Sequence, residues 1–172
     1  VSYGKGTRNG PKEIIKASHQ VELYDEEFEQ ETFKKIGVKT IKPFKINSNI
    51  KKALDQISNL NNKIVMQDLF PLVLGGEHSI TCGCIRPFVK RYKKLMIVQF
   101  DAHADLRDSY NNKKYSHASA MRRCLDYNNV SLLSLGIRNI SKDEIPFLKK
   151  NSHRINIFWA KDKNKWRLDK LK

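Results

Sequence analysis

Apolar residues occur along the chain in short continuous runs, and the length of these runs predicts buried strands. The runs occupy residues 70–75, 95–100, 130–137 and 155–159. Parallel strands are continuously apolar because both faces of their sheet are covered, whereas strands with one wet face alternate. An alternating segment at residues 21–25 is a further strand candidate.

Helical spacing and capping signals predict helices between these strands. Apolar residues in segment 50–60 recur every three or four positions, and Asn47 or Ser48 can cap the start of that helix. Ser141 and Glu144 have the spacing of a capping box, which predicts another helix beyond the third run.

Two further helices complete an alternating order of strands and helices. One should start at Ser79 and be kinked or ended by Pro87, and the other should cover residues 116–125. Alternation of this kind predicts an α/β fold around a mainly parallel sheet. Because the sequence shows neither an internal repeat nor a linker, we expect one domain over residues 1–172.

The chain is strongly basic, with 33 Lys and Arg against 18 Asp and Glu and a net charge of +15. Such an excess is typical of nucleic-acid-binding proteins. Here, however, the basic residues are scattered and accompany no helix-turn-helix, zinc-finger or RNP-like pattern. We interpret them as a solvated surface and expect no nucleic-acid partner.

The apolar runs also exclude a membrane helix, because spanning a bilayer takes about 20 apolar residues. Residues 1–10 lack the apolar core of a signal peptide. The three cysteines are an odd number, and Cys82 and Cys84 are separated by a single residue, which fits reduced thiols. The sequence therefore predicts a cytoplasmic protein without a membrane partner.

Ionisable side chains follow two of the predicted strands. His78 comes shortly after the first apolar run, and Asp101, His103 and Asp105 come directly after the second. Residues two apart in an extended segment point the same way, so the last three side chains are expected to converge. His78 should join them, because the carboxyl ends of neighbouring parallel strands share one edge of the sheet.

Two carboxylates and two imidazoles form a ligand set that suits manganese and could also accept zinc, iron or cobalt. A lone Asp or His at a strand end is more often a cap or a loop residue. Asp101 and Asp105, however, would repel each other if they packed together without a cation. The pattern therefore favours a metal site.

Two motifs carry a resemblance to a known family. The sequence GGEHS at 75–79 and the sequence DAHAD at 101–105 resemble the N-terminal metal signatures of the ureohydrolases, the arginase and agmatinase superfamily. Segments 6–18 and 101–123 are most similar to agmatinases, and the resemblance extends over residues 6–159. It implies a three-layer αβα fold of the arginase type with a mainly parallel sheet.

The resemblance also implies a site for two Mn²⁺ ions, which lower the pKa of a shared water so that it attacks the guanidinium carbon of the substrate. His78 and Asp105 would bind the first ion, and His103 would bind the second. Asp101 would bridge both ions. His117 would act as a proton shuttle or a substrate contact.

Three other residues of candidate type have lesser expected roles. Glu77 should support the ligands rather than bind metal itself. His19 and His153 match no motif, and we interpret both as structural or surface residues.

The sequence departs from the ureohydrolase pattern in its C-terminal part. That pattern continues to an Asp-x-Asp motif with two more ligands and to a later glutamate that holds the guanidinium. This sequence reaches Lys172 without the motif, and neither Asp162 nor Asp169 matches it. It supplies four of six ligands, so we expect an incomplete domain that lacks the C-terminal strands.

The functional hypothesis is that the chain is the N-terminal part of an agmatinase, which hydrolyses agmatine, a small cation, to putrescine and urea with Mn²⁺. The full-length protein would be a homo-oligomer, and the chain alone would be inactive. An arginase or another guanidino-acid ureohydrolase is one alternative. A non-catalytic remnant or a basic binding module is the other.

Overall fold

Residues 6–166 are described in the computed structural model, and a parallel sheet forms their centre. Its strands, in spatial order, are β1 (Leu95–Phe100), β2 (Val130–Ile137) and β3 (Ile155–Trp159). Leu95 pairs with Val130, and Leu132 pairs with Ile155. All three strands point the same way, so their carboxyl ends meet at one edge. Three of the four apolar runs are thus confirmed as strands.

Helices connect these strands and cover one face of the sheet. The α-helices are α1 (Gly10–Ala17), α2 (Phe33–Ile36), α3 (Ile50–Val65), α4 (Thr81–Cys84), α5 (Arg86–Arg91), α6 (Ala120–Cys124) and α7 (Ile145–Lys150). Short 3₁₀ helices cover Thr7–Asn9, Ser18–Gln20, His78–Ile80, His117–Ser119, Lys142–Glu144 and Ala160–Lys165. Among the helices described, none has both the length and the apolarity to cross a membrane.

The structure confirms one predicted helix cap and corrects another. Glu144 Oε2 accepts the N–H of Ser141 at 2.6 Å, which confirms the predicted capping box. Asn49, and not Asn47 or Ser48, caps α3, because its Oδ1 accepts the N–H groups of two residues in the first turn. Asn47 instead accepts the N–H of Asn49 at 2.9 Å and so shapes the turn before the cap.

The helix predicted to start at Ser79 is divided into separate segments, and Pro87 lies near the start of the last one. It starts as a 3₁₀ turn, continues as α4 and is interrupted at Ile85 before α5 begins. Pro87 lies in the first turn of α5. The lost N–H costs nothing at that position, since the first N–H groups of a helix have no partner within it.

The core lies between the sheet and its helical layer. Val130 and Leu132 of β2 are almost fully buried, as are Met121 of α6 and Leu106 of the loop after β1. They belong to one apolar cluster that also includes Ile155 of β3. This cluster anchors β2, the central strand, and with it the edge at which the loops meet.

The opposite face of β1 is not covered by described residues. Met96, Val98 and Phe100 point to that side, and Phe100 keeps 81% of its surface exposed. Over the C-terminal strands, the segment Ala160–Lys165 and the Trp166 ring, 6.1 Å from the Phe158 ring, pack on the sheet instead.

Two predicted strands are wrong. Residues 70–75 form no strand, and Phe70 is 89% exposed. Segment 21–25 contributes only one antiparallel bridge, between Asp25 and Gln30. An apolar run forms a strand only if another strand is available to pair with it. If residues 70–75 paired with β1, one face of the new strand would not be covered by residues 6–166.

Close packing of α4 against α3 gives a prediction about Gly83. A Cβ at this position would lie 2.7 Å from the backbone oxygen of Leu54 and 3.3 Å from Cβ of Ile57. We therefore expect Gly83→Ala to lower the free energy of unfolding by about 1–3 kcal/mol, because the two helices must separate. Urea denaturation followed by circular dichroism measures the change.

Gly10→Ala is the matched control, since this glycine also lies in a helix but a Cβ there would meet only ordinary contact at 3.8 Å. Alanine favours helix over glycine by up to about 1 kcal/mol, so the control should be neutral or stabilised. Equal stability gains in both variants would show that α3 and α4 are not in close contact at Gly83.

Candidate metal centre

The loop after β1 carries three of the four predicted metal ligands, and the loop after β2 holds it in place. The N–H of Asp101 donates to Leu135 O at 3.1 Å, which extends the pairing of the two strands by one residue. Beyond it, the N–H of Asn139 donates to Ala102 O at 3.0 Å, and the N–H of Ala104 donates to Asn139 O at 3.2 Å. The ligand loop is therefore fixed by the sheet itself.

The sequence predicts an extended backbone over residues 101–105, but the structure has a turn at Asp105. Asp105 has a φ of 53°, in the left-handed region that side-chain-bearing residues seldom occupy. Glu144, which is buried, stabilises this turn because its Oε1 accepts the N–H of Leu106 at 2.7 Å. Asp105 therefore reaches the site through a turn and not through the alternation of a strand.

The motif before α4 positions His78. Glu77 caps the 3₁₀ turn His78–Ile80, because its carboxylate accepts both the N–H and the hydroxyl of Ser79. Gly76 allows the N-terminal segment to lie against this motif, since a Cβ there would collide with the backbone of Thr7. The Glu77 carboxylate and the N-terminal segment at Thr7 therefore both fix the position of this motif.

His78, Asp101 and Asp105 converge on one point. His78 Nδ1 lies 2.8 Å from Asp105 Oδ2 and 3.6 Å from Asp101 Oδ2. One ligand atom from each of the three residues lies within 4.8 Å of the other two. A single cation placed between them could be contacted by all three.

His103 approaches Asp101 from its other oxygen. The backbone N–H of His103 donates to Asp101 Oδ1 at 2.9 Å, and its Nδ1 lies 3.8 Å from the same oxygen. The His103 side chain is 64% exposed and lies outside the group formed by the other three. The two histidines therefore face different oxygens of one carboxylate.

The hydrogen bond between His78 and Asp105 and the burial of both side chains shift their pKa values. The hydrogen bond to Asp105 raises the pKa of His78, although burial acts in the opposite direction. Burial raises the pKa of Asp105, and the hydrogen bond from His78 only partly offsets this effect. A bound cation would compete with the proton that the two side chains share.

His117 lies close to this group through Glu77. Its Nδ1 is 3.6 Å from Glu77 Oε1, and its ring meets the ring of Tyr110 edge-on with 5.5 Å between the centroids. His117 begins the 3₁₀ helix before α6, and one-third of its side chain is exposed. His19 and His153 are exposed, and neither belongs to this cluster.

Sequence reasoning missed Gln99 and Ser134, which lie directly behind the ligands. Gln99 Nε2 donates to Asp101 Oδ2 at 3.2 Å, and Ser134 Oγ donates to Gln99 Oε1 at 2.7 Å. Both polar residues interrupt apolar runs that were predicted to be buried strands. That interruption was the available signal, because a buried polar side chain in a strand needs a partner.

Comparisons with known proteins show the family and the fold to which the chain is similar. The sequence model of the arginase family matches residues 1–171. N(1)-aminopropylagmatine ureohydrolase of Synechocystis sp. is 32% identical over 168 residues, which are 94% of this chain and 54% of that protein. Agmatinase of Bacillus cereus is 35% identical over 154 residues, which are 87% of this chain and 52% of that protein.

Solved structures show the same relationship. Agmatine ureohydrolase of Thermoplasma volcanium superposes with a TM-score of 0.81 at 27% identity, over 99% of this chain and 56% of that one. This similarity confirms the predicted α/β fold of the arginase type. The chain spans about half the length of the curated relatives it matches.

An ion pair between Asp108 and Arg123 ties the ligand loop to α6 and gives a pH-dependent prediction. Arg123 is 3% exposed, and its Nη2 donates to Asp108 Oδ1 at 2.8 Å. This hydrogen bond lowers the pKa of Asp108. At pH 7 we expect Asp108→Asn to lower the melting temperature by about 1–4 °C, a small effect because the carboxylate is exposed.

The pH dependence follows from the direction of the shift. A carboxylate whose pKa is lowered by folding stabilises the protein above its unfolded pKa, about 3.9, and stops doing so as it is protonated. The difference between Asp108→Asn and the wild type should therefore shrink as the pH falls below about 4. Melting curves across pH test this, with Asp143→Asn, at an exposed aspartate, as control. A difference independent of pH would contradict the ion-pair explanation.

Proposed function

The chain belongs to the arginase family, and we propose that it carries a manganese site for hydrolysis of the guanidino group of agmatine to putrescine and urea. The observation that carries this proposal is the convergence of His78, Asp101 and Asp105, with His103 on the other side of Asp101. Each of these residues belongs to one of the two motifs shared with the ureohydrolases.

The donor set fits manganese. Carboxylate oxygens and imidazole nitrogens without a thiolate are typical ligands of this ion. No cysteine belongs to the described group of His78, Asp101 and Asp105 whose ligand atoms lie within 4.8 Å of one another. Asp105 is buried beside Asp101, and such a pair of carboxylates favours a neighbouring cation.

Asp101 is suited to bridge two ions. A carboxylate has about four lone-pair positions, two on each oxygen. Oδ1 uses one position for the N–H of His103, and Oδ2 uses one for Gln99. One position remains on each oxygen, and His103 Nδ1 lies 3.8 Å from Oδ1 whereas His78 Nδ1 lies 3.6 Å from Oδ2. As the resemblance to the ureohydrolases implies, His78 and Asp105 would hold one ion, and His103 would hold the other.

Bound manganese would supply a water of lowered pKa as the nucleophile and would stabilise negative charge in the transition state. The chain itself would help to orient the guanidinium cation through Glu77, a carboxylate beside the ligands that is not assigned to an ion. His117 could carry a proton between this group and the leaving amine, since imidazole exchanges protons near neutral pH.

Agmatine is the favoured substrate because relatives with the names agmatinase, agmatine ureohydrolase and aminopropylagmatine ureohydrolase cover most of this chain. Residues 106–116 also resemble the agmatinases more than those superfamily members that bind an α-carboxylate. An arginase or another guanidino-acid ureohydrolase is the alternative.

The purified 172-residue chain should bind Mn²⁺ but hydrolyse agmatine orders of magnitude more slowly than the Bacillus cereus agmatinase. Two-metal catalysis needs both ions held about 3.5–4 Å apart. Among residues 6–166, the second ion would be held by His103 and one oxygen of Asp101 alone. Calorimetry with Mn²⁺ and a urea assay test both statements. Turnover near that of the relative, abolished by Asp101→Asn, would show that four ligands suffice.

A chimaera tests the substrate. It would continue residues 1–172 with the part of the Bacillus cereus agmatinase beyond its matched region, which provides the rest of the fold. We expect urea release from agmatine, with at least about 100-fold less in Asp101→Asn because the activated nucleophile is lost. Asp143→Asn should retain the activity. Preference for arginine or a guanidino acid would contradict agmatine as the substrate.

A further inference from the structure

Gln99 is a buried amide in an apolar strand. It is 5% exposed, although its neighbours along β1 are Val98 and Phe100. It lies opposite Ser134 in the register of β1 and β2, and Ser134 is fully buried. Burial of an amide costs several kcal/mol unless its hydrogen bonds are made. The groups to which Gln99 is hydrogen-bonded therefore indicate its role.

The hydrogen bonds of Gln99 point towards the metal ligands. Nε2 donates to Asp101 Oδ2 at 3.2 Å and to the backbone oxygen of His103 at 3.1 Å. Oε1 accepts the Ser134 hydroxyl at 2.7 Å. Both hydrogens of the amide are thus used within the loop that carries the candidate ligands.

The orientation of the amide is not interchangeable. A flipped amide would direct its oxygen at the Asp101 carboxylate and the His103 carbonyl, which are both acceptors. Only the observed orientation gives those groups a donor, and it leaves Oε1 for the Ser134 hydroxyl. The Asp101 carboxylate and the His103 carbonyl therefore select this orientation, and the Ser134 hydroxyl, which can donate or accept, holds the amide oxygen in it.

We propose that Gln99, held by Ser134, is a positioning residue that fixes the Asp101 carboxylate and the His103 backbone for metal binding. This inference rests on the proposed metal site. Gln99 holds Oδ2 of Asp101 while the N–H of His103 holds Oδ1, so the carboxylate cannot rotate without breaking a hydrogen bond. The remaining lone pairs then keep a fixed direction, so less conformational freedom is lost when an ion binds.

The test is a calorimetric titration of the full 172-residue chain with Mn²⁺. Gln99→Met replaces the amide by an apolar chain of similar length and should weaken Mn²⁺ binding about 10–100-fold, as loss of groups behind metal ligands usually does. Ser134→Ala frees the amide and should weaken binding less. Ser131→Ala is the matched control, because it removes a hydroxyl from the same strand whose bond goes to Leu95 O, away from the ligands.

Melting temperatures without metal separate positioning from stability. A merely structural role lowers the melting temperature but leaves the Mn²⁺ affinity of the folded chain unchanged, and that result overturns the proposal. If Gln99→Met does not fold, Ser134→Ala decides: affinity equal to that of Ser131→Ala overturns it. A wild-type chain without affinity for Mn²⁺ overturns the metal site as well. If the wild type binds Mn²⁺ and Asp101→Asn loses affinity, but Gln99→Met and Ser134→Ala do not, only the positioning role is overturned.

Discussion

The parallel pairing of β1 with β2 is the constraint on which the candidate site depends. The same register that places Leu95 beside Val130 places Gln99 beside Ser134 and lets Asp101 donate its N–H to Leu135. The site therefore inherits its geometry from a backbone ladder and a buried core, which are rigid in comparison with a free loop.

Hydrogen bonds close to Asp105 stabilise its unfavourable backbone conformation. Asp105 adopts a left-handed backbone, a conformation that costs about 1 kcal/mol or more in a residue with a side chain. Glu144 holds the next N–H, and the N–H of Arg122 donates to Asp105 O at 3.0 Å. Strained backbone of this kind persists where the surroundings determine it from several directions, and it is frequent at functional sites.

The sequence was sufficient to predict the three strands that pair, but not the geometry that brings the candidate ligands together. Runs 95–100 and 130–137 become strands, whereas run 70–75 is equally apolar and remains outside the sheet, because hydrophobicity does not specify a partner. The spacing of Asp105 predicts an extended segment that the structure does not have, and Asp105 reaches His78 through a left-handed turn instead. Gln99 was overlooked because it was counted as part of an apolar strand.

Strand parity explains why the ligand-supporting side of β1 can be ordered while its other side is exposed. Gln99 and Asp101 are two residues apart, so both leave the strand on the side that faces the helical layer. Phe100, between them, points to the exposed face. The contacts that hold the ligands thus come from β2, its following loop and Glu144, all on the covered side. The uncovered face can affect the stability of β1, but it makes none of the hydrogen bonds that orient Asp101.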